Sequence, residues 1–353
     1  MRTFLFSCLG SLSVIALLFG CVDAYELDSF STLNVITIDG TLSDLPEAQF
    51  IKLGRSKADE LTGLFGDSPI SGAKAEVVVD GTQTVAFEEK SGGTYFLPDG
   101  FKAQVGHTYQ LKFQLNDGTS YASSTETMPA GSAITNIYQQ FNAQSLPVTQ
   151  LKGYTSANDV YIDYQDPADK SNYYRWEWTL WERQDWCSVG QYQDLPCTQK
   201  CWEILKNYDI DVADDRYSNG RAIAGKRVAR VPYYQDVACL IEVRQSSLNS
   251  NAYRYYKLMA DQTQSTGTLT DTPPAAPAGN IRNTANDKEV VVGYFTASSV
   301  HKIRYQLRRN ANAGTPIGLF KGLYGKSPVP GRTTSPCILS DTRTPIQPEG
   351  WPD

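Results

Sequence analysis

Short runs of alternating apolar and polar residues, cut by glycine, proline and Asx turns, fill most of this chain. A period of two predicts β-strands. Residues 33–38 alternate and stop at Asp39-Gly40, and residues 49–53 follow. Residues 75–79 end in Asp80-Gly81, a hairpin signal, so 84–87 should return antiparallel. Residues 94–97, 109–115 and 120–124 continue the series. Asn116-Asp117-Gly118 sits between the last two, where a tight turn needs residues tolerant of positive φ. This density of short strands predicts a β-sandwich over residues 33–129, of immunoglobulin-like or transthyretin-like type.

Pro129 to Ser132 reads as a boundary, and 130–353 as a larger β-rich domain. Strands are expected at 160–164, 173–181, 227–231, 239–244, 290–295 and 304–308. In the aromatic strand, Tyr174, Trp176, Trp178 and Leu180 point one way; Tyr173, Arg175, Glu177, Thr179 and Trp181 point the other. The one notable helix spans 251–263, capped by Ser250, with Tyr253, Tyr256, Met259 and Ala260 at helical spacing and Gly267 beyond its end. Pro273-Pro274 lies in an extended connector, 270–278. From Pro316 the chain is loop-rich, yet it carries Cys337 and Trp351, so it should pack on the body. Composition agrees with a predominantly all-β class: 21 Tyr, 13 Phe and 6 Trp stand beside 27 Gly, 18 Pro and only 3 Met.

The start of the chain follows a different logic. Arg2 precedes an apolar run, 4–19, that ends in Leu18-Phe19-Gly20-Cys21. This is a signal peptide over 1–20 with a lipobox, and Cys21 is the residue expected to be lipidated. The run is short and diluted by serines, unlike a membrane span. Residues 21–32 would be a tether carrying Asp23, Glu26 and Asp28. The expected location is the outer membrane, lipid-anchored; in some Gram-negative groups such acidic residues accompany delivery to the cell surface. Removing Arg2 moves the formal charge from −6 to −7, which disfavours nucleic acid and leaves the lipid to hold the protein at the membrane.

Five cysteines lie beyond Cys21: Cys187, Cys197, Cys201, Cys239 and Cys337. An exported protein can oxidise them. Two bridges among five can be drawn in fifteen ways, and sequence alone does not select one. At least one disulfide is expected, with Cys201–Cys337 as the chosen assignment; it would tie the C-terminal loops to the body. The Cys197-x3-Cys201 spacing also suits a metal, but no histidine lies near it.

Enzyme motifs are sparse. His107 and His301 sit outside any metal-spaced cluster, and no nucleophile elbow, P-loop or dinucleotide fingerprint occurs. Ser71-Gly72-Ala73-Lys74 matches S-x-x-K only at a strand start. The acidic run 208–215 has oxygen ligands at alternate positions but lacks the glycine and closing glutamate of a calcium loop, and reads as solvated. The aromatic strand and its continuation to Trp186 are the most suggestive surface, because exposed indoles bind ligands by stacking. Trp176 and Trp178 are assigned to the core; Trp181 and Trp186 are the candidate ligand-binding aromatics.

Several stretches in order resemble a known family: the lipobox, Ile70-Ser71-Gly72-Ala73, Tyr173-Tyr174-Arg175-Trp176, Cys201-Trp202, then Pro273-Pro274, Gly279-Asn280-Ile281, Gly293-Tyr294-Phe295 and, at the end, Cys337 and Gly350-Trp351. Together they resemble the domain of unknown function 4249 family, lipoproteins of Bacteroidetes commonly encoded beside TonB-dependent outer-membrane receptors. The resemblance implies a non-enzymatic accessory protein of nutrient uptake that binds a ligand or a receptor, with no cofactor and no catalytic residues to carry over. A surface structural or adhesive protein is the alternative, and an extracytoplasmic hydrolase a third.

Overall fold

Ile36, Ile38 and Leu42 share one face of the first strand and are fully or almost fully buried. They meet Val77, Leu111, Phe113 and Tyr121 of a second sheet, and this contact is the core of an N-terminal sandwich. The computed structural model describes residues 34–58, 65–148, 153–168, 170–263, 278–309 and 314–351. The signal peptide, Cys21, the tether, Gly267 and nearly all of the connector lie outside the described residues. The chain is all-β in class, a pair of sandwiches with little helix.

One sheet of the first sandwich runs Val291–Ser298, Ile36–Ser43, Phe50–Ala58, Thr94–Phe96, Glu88–Ser91, with Phe65–Pro69 also on Phe50–Ala58. The other runs Ile281–Asn283, Ser120–Ser123, Thr108–Gln114, Lys74–Val79, Gln83–Ala86. The hairpin at Asp80-Gly81 forms as expected, with φ of 51° and 72° at its centre. Asp39-Gly40 does not turn. The strand runs straight through it, and Gly40 is there because the Ile51 methyl lies 2.7 Å from where a Cβ would stand.

The sheets also redraw the boundary placed at 129/130. Ile281–Asn283 and Val291–Ser298, assigned by sequence to the second domain, belong to the first sandwich. Val291–Ser298 pairs parallel to Ile36–Ser43, which is possible only because the whole body intervenes as a crossover. One buried carboxylate holds this return. Glu126 accepts from Ser124 Oγ (2.5 Å), Asn280 Nδ2 (3.0 Å), Tyr294 OH (3.2 Å) and Asn249 Nδ2. Asn280 also pairs both backbone groups of Phe295, at 2.7 and 2.9 Å. An ideal Cβ on Gly279 would stand 1.9 Å from the Gly293 carbonyl oxygen, and one on Gly293 1.9 Å from the Ile38 carbonyl oxygen, so neither position could carry a side chain.

Helix α1 (Ser250–Thr263) starts at the same hub. The expected Ser250 cap is replaced by Asn249, whose Oδ1 accepts from Asn251 N (3.0 Å) and Ala252 N (2.9 Å). Its buried face, Ala252, Tyr253, Tyr255, Tyr256 and Ala260, packs on Tyr294. A second short helix, α2 (Leu319–Tyr324), was not expected.

The body is a second sandwich. A three-stranded sheet, Ile134–Val148, Gly153–Gln165 and Ala222–Pro232, faces a sheet ordered Val300–Leu307, Cys239–Leu248, Tyr173–Arg183, Trp202–Lys206, Arg343–Thr344, with Asp211–Asp214 also on Tyr173–Arg183. Trp176, Leu180, Val160, Ile162, Ile241 and Val243 form its core. The Gln139 side chain bonds both backbone groups of Arg308 and so joins the two sheets along one edge.

The C-terminal segment packs as anticipated. Trp351 meets Trp202 edge-on at 5.8 Å, and Arg343–Thr344 adds a strand beside Trp202–Lys206. Cys201 is bridged to Cys337 across 136 positions, and Cys187 to Cys197 across ten. Between the sandwiches, Glu47 accepts from Arg244 Nη1 (2.8 Å), Arg244 Nη2 (3.0 Å) and Lys302 Nζ.

Two outcomes are expected. Replacing Cys201 and Cys337 by serine should lower unfolding free energy by roughly 3–5 kcal/mol in a urea titration, since the open loop is long; a change under 1 kcal/mol would refute this accounting. Glu47 opposes burial, which would raise its pKa, with hydrogen bonds from Lys302 and Arg244, and the carboxyl ends below its ordinary value. A depressed carboxylate adds stability above its unfolded pKa of about 4.3 and loses it as pH falls through the folded value. Glu47→Gln should therefore cost about 1 kcal/mol at neutral pH, and the penalty should fade in acid. A penalty that persists in acid would show that charge is not the cause.

Candidate functional site

The strand Tyr173–Arg183 is paired on one edge by two different strands. Trp202–Lys206 covers Thr179 to Arg183, and Asp211–Asp214 covers Tyr173 to Trp176. Between them the chain lifts away at 207–210, and the residues left beneath the gap are Glu177 and Trp178. Asn207 stands in for the missing strand: its Oδ1 accepts from Trp178 N at 2.8 Å, and its own N–H donates to Trp178 O at 3.3 Å. Asn207 Nδ2 then bonds Asp209 O at 3.0 Å, which fixes the bulge.

The result is an open groove of about 740 Å³ between this bulge and the strand Ala222–Pro232. Half-buried Trp178 lines it together with Leu146, Ile210 and Val228. Around them stand four cations, Lys206, Lys226, Arg227 and Arg230, and two acids, Asp209 and Asp211. Lys226 lies 4.3 Å over the Trp176 ring and 2.8 Å from Asp211. Arg227 stands 4.0 Å from buried Asp159. Tyr208, 93% exposed, projects from the bulge. Deeper in the core, burial pushes the Tyr164 hydroxyl up, and Asp166, Asp211 and Asp215 add to the shift, so it stays protonated. The volume is that of a small-molecule site, and an apolar floor with a few placed charges is its usual chemistry.

The tryptophans sort differently from expectation. Trp176 is buried, as assigned, with its Nε1 donating to Gln245 at 2.9 Å. Trp178, assigned to the core, packs on it with one side and lines the groove with the other. Trp181 is half-buried under the Arg304 guanidinium at 5.7 Å. Trp186 packs edge-on against Phe320 of α2 at 5.7 Å. Neither of these two is among the groove's lining residues. The turn-forming Asn207-Tyr208-Asp209 was the signal for the bulge, but alternation alone assigned Trp178 inward.

The other candidates are engaged. Asp211 pairs with Lys226, Asp214 with Arg216 and the Tyr253 hydroxyl, and Asp215 accepts from Asn172 N, so the acidic run is spread over separate partners. Cys187, Cys197 and Cys201 bring their sulfurs within 4.8 Å of one another, yet each is half of a disulfide and not a thiolate ligand. Cys239 is a buried free thiol whose pKa burial pushes up, with Glu182 adding to it. A smaller cavity of about 260 Å³ at the seam between sandwiches is lined by Arg175, Glu177, Arg244 and Glu47, which bond to each other and to neighbours. Among the described residues, no helix is long and apolar enough to cross a membrane.

The bulge makes a direct expectation. Asn207→Ala should remove a side-chain partner of the Trp178 amide and cost about 1–2 kcal/mol. Amide hydrogen exchange at Trp178 should speed up while the core strand Cys239–Leu248 stays protected; unchanged exchange would mean that the loop holds itself without Asn207.

No curated protein matches the chain, and no solved structure matches it. Residues 22–304 match the family described as Domain of unknown function (DUF4249), which takes in the first sandwich, most of the second, the groove, and the Gly279-Asn280-Ile281 and Gly293-Tyr294-Phe295 elements locked together around Glu126. The chain therefore belongs to the DUF4249 family.

Proposed function

We propose that this protein is a lipid-anchored, non-enzymatic binding component of a nutrient-uptake system at the outer membrane, holding its ligand in the Trp178 groove. The groove is the observation that carries the reading: Trp178, the apolar Leu146, Ile210 and Val228, and several charged side chains line an opening of about 740 Å³. A glycan hydrolase would use two carboxylates in separate roles, whereas Asp211 is already engaged by Lys226 at 2.8 Å. The lipobox ending in Cys21 supports the anchor. An anchor confines the protein to one membrane face, so a partner there is met at high effective concentration and weak contacts suffice. The gene context implied by the family resemblance points to a TonB-dependent receptor as that partner.

Cys21→Ser should abolish fatty-acid labelling and release the protein from the membrane fraction; an unlabelled wild type with a membrane-bound variant would defeat the anchor. Mild detergent extraction should co-purify an outer-membrane β-barrel receptor, and deletion should impair growth on one nutrient. Recovery of a lone monomer with no growth defect across varied nutrients would leave the adhesive reading in its place.

A further inference from the structure

The chain is acidic overall, with a formal charge of −6, yet the groove reverses that sign: four cations face two acids. Lys226 is neutralised by Asp211, and Arg227 leans on Asp159. Among the described residues, Lys206 and Arg230 have no ion-pair partner, so two positive charges at the rim are available to a ligand. A local reversal of sign in a concave site focuses potential and recruits ligands of the opposite charge.

The remaining groups narrow the class further. Trp178 lines the groove, and an indole suits a flat or puckered ring stacked on it. The exposed Tyr208 hydroxyl and the Asp209 carboxylate offer a donor and acceptors at the same rim, which suits a ligand rich in hydroxyls. The groove is open and exceeds what a single sugar ring needs. Building on the groove reading above, we propose that the ligand is an acidic oligosaccharide, its ring stacked on Trp178 and its carboxylate or sulfate held by Lys206 and Arg230. The hydroxyls of the same sugar would meet Asp209 and Tyr208.

The test titrates trigalacturonate and its neutral counterpart galactotriose into the full-length protein in mild detergent, read by tryptophan fluorescence and calorimetry. Trigalacturonate should bind roughly tenfold or more tightly than galactotriose, and rising ionic strength should erode that advantage. Lys206→Gln with Arg230→Gln should weaken trigalacturonate by roughly tenfold or more while leaving galactotriose and the unfolding midpoint unchanged. Lys206 is exposed and Arg230 half-buried, and neither has an ion-pair partner among the described residues, so this variant separates charge from folding. Galactotriose binding as tightly as trigalacturonate, or indifference to the double substitution, would overturn the acidic class and leave the groove reading intact. Binding of either sugar that survives Trp178→Ala unchanged would instead overturn the groove itself. If neither sugar binds, the acidic-oligosaccharide proposal fails, and the receptor and growth experiments decide the groove reading separately.

Discussion

The buried carboxylate of Glu126 is the constraint on which the architecture turns. A charge out of water is tolerable only when donors surround it, and the cost of stranding it is several kcal/mol, on the order of 3–5. Its donors come from four places along the chain: Ser124 beside it, Asn249 at the start of α1, Asn280, and Tyr294. Satisfying one side chain therefore positions the helix, the returning strands and the first sandwich together. Burial pushes the Tyr294 hydroxyl up, and Glu126 adds to that shift, so the phenol remains a donor across the physiological range.

The same logic of a few buried or half-buried polar groups recurs at the seams. Asp44 accepts from Ser299 Oγ and Val300 N, and Glu47 beside it grips Arg244 and Lys302, so the turn between the first two strands is keyed to the body. Arg309 and Glu182 form an ion pair with no exposed side-chain surface. Asp194 accepts from Val329 N, Gly190 N and Lys326, which pins the C-terminal loops near the Cys187–Cys197 hairpin. Apolar cores make each sandwich stable, while these polar keys decide how the pieces are oriented.

Much of this was legible in the sequence, for reasons that also mark where legibility stops. Alternation places strands well because side chains on one face share one fate. It located the aromatic strand, while the Asp80-Gly81 turn signal marked the hairpin and the helical spacing of Tyr253 and Tyr256 marked the helix. It stopped the first strand at Asp39-Gly40, since a glycine needed for close packing against Ile51 looks the same as one that ends a strand. It could not tell which sheet Val291–Ser298 would join, because partner choice depends on contacts more than 200 positions away. Trp178 shows the same limit at the site. Its parity says inward, and only the lifting of 207–210 leaves it a side to offer a ligand.

The discontinuous first sandwich sets an order of assembly. Its parallel edge strand, Val291–Ser298, is synthesised some 250 residues after the strand it must pair with, Ile36–Ser43. Until then Ile36, Ile38 and Leu42 lack the Ile281, Val291, Phe295 and Ala297 part of their core and face an open edge, the surface that invites pairing with another chain. Contacts of such long sequence separation fold slowly. The N-terminal region thus waits with an unpaired edge until the rest of the chain is made, and a truncation after residue 129 would leave that edge open to pairing with another chain.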